Sequence, residues 1–376
     1  MKRTIATVFV VSLLLSLVAF PALAQGIQSV ELHGYMQNRF YANPNYSARF
    51  VTERVSLSAI GRLNNDTTGY LEVYFHPWLT DKVLGVAPNQ FTAEQFRTYV
   101  ESAYVDMPLA NGRLRLGKGR QLNFGLTPSY PNRKTSQYGI LAETFTQDRI
   151  IGAQYDQKMS TFDIGASLYT DQRVMTRSIG DFAGAVNGAD LVSTVKHFVD
   201  KDDPANNTGR LAGSVRLGVT KPNYQFHASG AVGRLTQTDA AYIASQYPAG
   251  VPVGDKAHNK YGLDGSWSHG PWILQSEFYQ GNFSFLKITG YQVLVGYQPR
   301  DKMRAYVRWS ALNNNRSPNG AVQPTWDTQQ LTFGVVQPIS KGVWVEANYE
   351  KNSANPGAGV ADKKDDLLFL EVFTGF

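Results

Sequence analysis

Short segments that alternate apolar and polar residues run from residue 29 to residue 376, and they constrain the fold more than any other feature. A period of two is typical of a β-strand with one apolar face and one polar face. In residues 302–312 the two faces carry different residue types: Ala305, Val307, Trp309 and Ala311 against Arg304, Tyr306, Arg308 and Ser310. The chain holds sixteen such segments, near residues 29–41, 50–63, 68–76, 98–107, 112–122, 149–157, 160–170, 209–220, 223–235, 259–268, 271–281, 286–298, 301–312, 326–337, 342–351 and 366–376.

Two kinds of connection alternate between these segments. One kind is short and carries turn residues, as in Ala110-Asn111-Gly112. The other kind is mostly long, at 77–97, 123–148, 171–208, 236–258, 313–325 and 352–365, with short exceptions near 42–49 and 282–285. A barrel that spans a membrane has this pattern, because backbone groups in lipid must all be paired and the sheet must close on itself. We therefore predict an all-β fold, a transmembrane antiparallel β-barrel of sixteen strands.

Composition excludes several other classes of protein. The chain has no Cys, which excludes disulfides, Cys-ligated metal sites and a thiol nucleophile. Its mean hydropathy is −0.28, which argues against a protein built from many membrane helices. The soluble alternative is a secreted β-sandwich or β-helix, but such a fold buries its apolar faces together instead of separating them by polar faces.

The N-terminal residues predict a secretory signal peptide. Lys2 and Arg3 precede an apolar run over residues 5–20, and Ala22-Leu23-Ala24 is a suitable cleavage site. We predict a signal peptide at 1–24 and a barrel domain at 25–376; the alternative is a membrane anchor. Removing the leader lowers the formal charge from +6 to +4, because it carries two basic residues and no acidic one. That surplus is too small to indicate a nucleic-acid partner.

The C-terminal segment points to a location. Phe376 shares its parity with the mostly apolar positions Thr374, Val372, Leu370 and Leu368. This resembles the C-terminal signature of outer-membrane barrels, which implies recognition of Phe376 by the barrel-assembly machinery. The expected location is the outer membrane of a Gram-negative bacterium, with its lipid around the barrel.

Strand parity also predicts which side chains face the interior. The polar face of each strand should line a water-filled lumen. The charged residues and histidines on that face are Glu31, His33, Arg39, Arg54, Glu72, Arg113, Arg115, Asp163, Arg210, Arg216, His227, Asp264, Glu277, Arg304, Arg308 and Glu346. Aromatic residues near strand ends suggest an interfacial girdle: Trp267, Trp272, Tyr297, Trp309 and Trp326.

Residues 50–157 resemble the phosphate-selective porin O and P family of outer-membrane channels. The resemblance rests on short motifs: Phe50-Val51-Thr52-Glu53-Arg54-Val55-Ser56-Leu57, Glu101-Ser102-Ala103-Tyr104-Val105-Asp106, Arg115-Leu116-Gly117-Lys118, Phe124-Gly125 and Asp148-Arg149-Ile150-Ile151-Gly152-Ala153. It implies a sixteen-stranded barrel, a homotrimer and passive passage of solutes. It also implies that connection 123–148, the third on the long side, folds into the barrel as a constriction.

Basic residues near that constriction predict the functional site. Arginine forks pair with oxyanions, and rings of cationic groups at a narrow point select anions. Strand parity becomes ambiguous after Gly117, where a bulge would turn Lys118 and Arg120 inward. A basic strand that merely balances acidic wall residues is the alternative. The predicted pore-lining or constriction residues are Arg54, Arg113, Arg115, Lys118, Arg120, Tyr130, Arg133, Lys134, Arg304 and Arg308.

The leading functional hypothesis is a porin that admits small hydrophilic solutes by passive diffusion, with a preference for anions such as phosphate. Same-class alternatives are a general porin, a cation-preferring porin and a sugar channel with the lumen tyrosines Tyr35, Tyr74, Tyr279 and Tyr306. An outer-membrane receptor would use loops 171–208 and 236–258. We expect no enzyme, because no Gly-x-Ser-x-Gly elbow occurs and the six His are scattered. No cofactor or metal is expected, since the acidic cluster at 200–203 lacks the ligand spacing of a calcium loop.

Overall fold

The computed structural model describes residues 28–43, 46–63, 66–76, 97–126, 139–171, 173–178, 196–201, 211–245, 253–299, 303–314, 327–355, 363–364 and 366–376. The predicted signal peptide at 1–24 lies outside these residues, as do Tyr130, Arg133 and Lys134. Within the described ranges the strands are β1 (Ser29–Asn43), β2 (Tyr46–Arg62), β3 (Thr68–His76), β4 (Arg97–Leu109), β5 (Gly112–Arg120), β6 (Arg149–Lys158), β7 (Asp163–Thr170), β8 (Arg173–Ser178), β9 (Lys196–Lys201), β10 (Leu211–Lys221), β11 (Tyr224–Arg234), β12 (Ala257–His269), β13 (Trp272–Phe283), β14 (Leu286–Tyr297), β15 (Arg304–Asn314), β16 (Asp327–Ser340), β17 (Val343–Asn355), β18 (Lys363–Lys364) and β19 (Leu367–Gly375). The helices are α1 (Ile140–Phe145) and α2 (Gln237–Ser245).

Sixteen of these strands close into one antiparallel β-barrel. Each barrel strand pairs with the next along the chain, β7 pairs with β10, β17 pairs with β19, and β19 closes the ring against β1. The hairpin β8–β9 forms its own sheet, and β18 adds two residues beside the end of β17. The predicted fold and strand count are confirmed, and each predicted strand end lies within four residues of the observed one.

Side chains alternate between the interior and the outer surface along the strands. In β12, Lys260 and Asp264 point inward and are buried, whereas Leu263 and Trp267 point outward and are exposed. The exposed outer face of the barrel is therefore apolar. Such a face is suited to contact with lipid and not with water. No helix among the described residues is long and apolar enough to cross a membrane.

Two β-bulges change the predicted facing of some residues. In β2, Gln37 pairs with Arg54 and Asn38 pairs with Thr52, so Glu53 is the extra residue. Before the bulge Val51 therefore packs inside the barrel and Thr52 faces out, the reverse of the simple alternation. After the bulge, Arg54 faces the lumen as predicted.

The second bulge lies in β4, where the paired residues jump from Ser102 to Val100 and skip Glu101. Glu101 is buried, as is Glu53 at the first bulge. Both bulges thus place one additional carboxylate inside the barrel wall, which strict alternation could not predict.

The two rims of the barrel differ in their connections. One rim carries tight turns, such as the turn at Gly342, whose φ of 78° favours glycine. The last residue reaches the same rim: Phe376 and Gly34 exchange both of their backbone hydrogen bonds, at 2.8 and 2.9 Å. The ring of Phe376 lies where a Cβ on Gly34 would be, only 2.5 Å from its nearest ring carbon. The other rim, here called the loop rim, carries the long connections.

Aromatic side chains mark the outer surface at two levels. Near the turn rim, the rings of Trp272 and Tyr297 lie 4.9 Å apart. Closer to the loop rim, Phe278, Tyr291 and Trp309 form a row with ring spacings of 5.9 and 6.0 Å. Amphipathic aromatic rings at the two edges of an apolar belt are typical of a barrel in a bilayer.

Candidate functional site

The connection between β5 and β6 enters the barrel. Its described parts, residues 121–126 and 139–148, are here called the inward segment. Gln121 donates its side-chain amide to Tyr169 Oη and Ser214 Oγ, at 3.3 and 3.0 Å, on the inner wall. Asn123 donates to Ala166 O and Ser167 Oγ, both at 2.8 Å. The chain therefore leaves β5 along the inner faces of β7 and β10 and not outward over the rim.

The first half of the inward segment reaches β13. The ring of Phe124 lies 5.2 Å from that of Tyr279, and the backbone N–H of Leu126 donates to Glu277 Oε1 at 3.0 Å. Tyr279 Oη donates to the same carboxylate oxygen at 3.0 Å. Glu277 was predicted to line the lumen; it does face inward, but it binds the segment's backbone.

The second half contains α1, which packs on the inner faces of β13, β14 and β15. Leu141 lies against Gly290 and Leu312, and Phe145 lies 6.4 Å from Phe283 between ring centroids. Glycine at 290 leaves the space that Leu141 occupies, since a Cβ there would be 2.4 Å from Leu141 Cδ1. The inner surface that receives α1 is here called the docking wall, and it consists of Tyr279, Phe283, Leu286, Ile288 and Leu312. The predicted inward fold is confirmed for the described residues of this connection.

A buried lysine connects both halves of the inward segment to the barrel. Lys260 on β12 forms an ion pair with Asp148 and also donates to Phe145 O at 3.4 Å. Its ammonium lies 5.1 Å from the centre of the Phe124 ring, within cation–π range. The side chains of Lys260 and Asp148 are only 3% and 2% exposed. Neither residue was among the predicted site residues, although Asp148 belongs to one of the motifs quoted for the family resemblance.

Beside the docking wall, a different inner surface begins at β16, which pairs with β15. The inner faces of β16, β17, β19 and β1 form this charged wall, which consists of Gln330, Thr332, Glu350, Asn352, Glu371 and Arg39. Arg39 pairs with Glu371 and lies 3.6 Å from Glu53, whose carboxylate also accepts from Tyr41 at 2.9 Å. Gln37 donates to Glu371 at 3.0 Å. These polar groups are buried but partnered, which is what a buried charge requires.

Arg308, a predicted pore residue, belongs to this network. It donates to Thr332 Oγ1 at 3.0 Å and to Gln330 Oε1 at 3.2 Å, and it lies 3.6 Å from Glu350. Its guanidinium is therefore offset by a carboxylate and is not presented alone to a solute. Arg304, nearer the turn rim, donates to Gln298 Oε1 at 3.1 Å.

The predicted basic strand β5 divides between two faces. Arg115 faces the lumen, pairs with Asp106 at 2.8 Å and covers the Tyr104 ring at 3.8 Å. Arg113 shares its face and donates to Asp66 O at 3.1 Å. The pairing with β6 runs without a shift through Gly117, so Lys118 stays on the opposite face and donates to Val100 O at 2.6 Å.

Arg120, the last residue of β5, contacts the inward segment. It donates to Gln147 Oε1 at 3.1 Å and to Thr146 O at 3.0 Å. Arg54 lies apart from it on β2, with its guanidinium 4.6 Å from the Tyr74 ring centre. The predicted residues that the structure describes thus occupy several places on the wall and do not form one ring.

The four lumen tyrosines considered for a sugar channel are buried, and each forms hydrogen bonds to wall residues. Tyr35 donates to Tyr74 at 2.7 Å, Tyr279 donates to Glu277, and Tyr306 donates to Glu346 at 2.7 Å. Rings held inside the wall in this way do not present a continuous face to a sugar. Within the described ranges, no group of three or more His, Asp or Glu side chains is placed to hold a metal ion.

Comparison with known proteins finds similar folds and no close relative. No protein-family model and no curated protein matches the chain. The outer membrane channel DcaP of Acinetobacter baumannii matches with a TM-score of 0.60 at 11% identity, covering 93% of this chain and 97% of that one. A loop-deletion form of OmpT, an outer membrane protein of Vibrio cholerae, matches at 0.57 and 14%, covering 93% and 99%. An anion-selective porin from Comamonas acidovorans matches at 0.55 and 13%, covering 93% and 99%.

Proposed function

We propose that this protein is an outer-membrane porin that lets small hydrophilic solutes diffuse passively through its barrel. The observation that carries the proposal is the combination of a closed sixteen-stranded barrel, an apolar outer face, a polar inner face and an inward segment. A sixteen-stranded barrel is wide enough to hold an aqueous channel when it is not filled. An inward segment reduces that width on one side and sets a size limit for solutes.

The expected setting is the outer membrane of a Gram-negative bacterium, where the exposed apolar belt contacts lipid. The similar structures include an outer membrane channel, a porin and a trimer form of an outer membrane protein, which supports a homotrimer here as well. Pairing of Phe376 with Gly34 at the seam agrees with a role of the last residue in assembly.

The finer proposal is a weak preference for anions such as phosphate. On the described wall, Arg113 and Arg115 are the candidates for this anion preference. In connection 123–148, the candidates are Arg133 and Lys134, which lie outside the described residues. Support comes from the family resemblance of residues 50–157 and from the anion-selective porin among the similar structures. The preference should be weak, because Asp106 offsets the charge of Arg115 at 2.8 Å.

The test is the current through purified protein in a planar lipid bilayer under a KCl gradient. Large ohmic steps support the porin, and a reversal potential on the chloride side supports the anion preference. Steps that reverse toward potassium would remove the anion preference and leave the porin. Correctly folded barrels that give no steps would contradict the porin and favour a receptor or an enzyme. Swelling of liposomes in sugars of increasing size then measures the size limit.

A further inference from the structure

We propose that Lys260 is a positioning residue that holds the inward segment at the width of the conducting pore. The inference rests on the proposed porin function and names the group that sets its constriction. Lys260 itself does not contact permeating solutes, since its side chain is only 3% exposed. It acts through the segment, whose two halves it joins to β12.

The geometry of Lys260 is specific to this role. Its ammonium pairs with Asp148 at the end of the inward segment and donates to Phe145 O at the end of α1, while its other neighbour, the ring of Phe124, belongs to the first half. One side chain on the barrel wall therefore contacts both halves of the segment, at Phe124 in the first half and at Phe145 and Asp148 in the second. Removing it would take away contacts to both halves of the segment at once.

The neighbouring contacts show why the charge matters. The Asp148 carboxylate is 2% exposed, so loss of the lysine removes an ion-pair partner from a buried anion. The other attachments of the segment are the hydrogen bonds of Gln121 and Asn123 to β7 and β10, those that Arg120 donates to it, the bond from Leu126 to Glu277 and the apolar contacts of α1. Removing one partner of a buried ion pair is costly, and that cost falls when the Asp148 side chain moves toward water, which shifts this end of the segment from its place on the wall.

The expected consequence is a second position of the segment that becomes populated in the variant. Removal of one partner of a buried ion pair corresponds to a rise of roughly a hundredfold or more in the population of a displaced position of the segment. In single-channel records this appears as frequent transitions between conductance levels, and the liposome size limit rises.

The experiment compares Lys260→Met, Lys260→Arg and the exchanged pair Lys260→Glu with Asp148→Lys. Met keeps the length of the side chain without its charge, Arg keeps the charge, and the exchanged pair restores an ion pair with the opposite polarity. The matched control is Lys351→Met, a lysine on the exposed outer face of β17. Folding of every variant is verified by circular dichroism and by resistance to heat in detergent.

We expect extra conductance levels in Lys260→Met, fewer in Lys260→Arg, partial recovery in the exchanged pair and none in Lys351→Met. A folded Lys260→Met barrel that conducts like the unmodified protein would overturn the inference, even if its thermal stability fell. If the exchanged pair were as irregular as Lys260→Met, pairing with Asp148 would not be the cause and the inference would fail as well. Absence of any steps from the unmodified protein would instead contradict the porin function itself.

Discussion

The docking wall and the charged wall lie side by side in the same barrel, where β15 pairs with β16, yet they are built from opposite kinds of residue. The docking wall presents Phe283, Ile288 and Leu312 to the interior, whereas the charged wall presents Glu371, Arg39 and Glu350. A barrel strand does not require its inner face to be polar; it requires only that each inner group find a suitable partner. Apolar residues on an inner face indicate that another part of the protein packs against it. A polar network indicates that the side chains of the wall bind one another.

The outer surface changes together with the docking wall. Toward the loop rim, the strands behind it carry polar residues on their outer face: Gln280, Asn282, Lys287, Thr289 and Asn313. Closer to the turn rim, the same face is apolar, as in Leu274 and Val293. The amphipathic pattern of these strands is therefore inverted near the loop rim, where the inside becomes apolar and the outside polar.

The largest expected effect comes from the docking wall. Phe145→Ala should lower the free energy of unfolding by about 3–5 kcal/mol, because it empties a large buried site in α1. The measurement is urea unfolding in lipid vesicles, followed by tryptophan fluorescence. The control is Phe333→Ala on the outer face, where the side chain is 47% exposed and less is lost. Equal losses in the two variants would contradict the role of the docking wall as a protein core.

A smaller effect is expected on the charged wall. Glu371→Gln should cost about 1–3 kcal/mol, because Arg39 loses its closest carboxylate and keeps the more distant Glu53. The same vesicle unfolding assay measures it. The double variant Arg39→Met with Glu371→Leu should be less destabilised than the sum of its single variants, since both charges are removed together. If the double variant lost as much stability as the sum of its two single variants, the Arg39–Glu371 pair would not distinguish the charged wall from the docking wall.

The ion selectivity of Glu371→Gln sharpens the comparison further. The substitution removes a negative charge from the charged wall, so the reversal potential under a KCl gradient should move toward the chloride side. Phe145→Ala changes no charge and should alter conductance with a smaller shift in reversal potential. If Phe145→Ala shifted the reversal potential more than Glu371→Gln did, the inward segment, and not the charged wall, would determine selectivity.

The smallest effect separates the two faces of β5. Arg115→Gln should move the reversal potential toward potassium, because Arg115 faces the lumen beside Asp106. Lys118→Gln should leave it unchanged, because Lys118 lies on the other face. The reversal potentials of both variants are measured under the same KCl gradient. A shift from Lys118→Gln as large as that from Arg115→Gln would place both residues in the conducting path.

Much of this fold follows from local sequence, because a strand's facing pattern repeats every two residues and turns have distinctive compositions. The sixteen strands were predictable for that reason. The facing of Val51 was not, because one extra residue at Glu53 reverses every earlier position and leaves no mark in composition. Bulges are set by pairing with the neighbouring strand, which a single segment does not contain.

The candidate site was predictable only in part. Charges near the constriction drew attention to β5, but the residues that hold the inward segment, Lys260 and Asp148, lie 112 positions apart in the chain. A signal was present in β14, where Leu286 and Ile288 place apolar side chains on the face that carries Gln292 farther along. Such a change of the apolar face within one strand would have indicated that something packs against it from inside.

The matched pairs along the lumen affect how a moving ion experiences the wall. A guanidinium beside a carboxylate, as in Arg115 with Asp106, acts at a distance as an electric dipole, whose potential decays faster than that of a single charge. Salt shortens the reach further, to a Debye length of about 10 Å at roughly 0.1 M. Small ions on the axis of such a channel would meet an almost neutral interior. Discrimination by charge would instead increase with the size of the solute, as its surface approaches the individual groups of the wall.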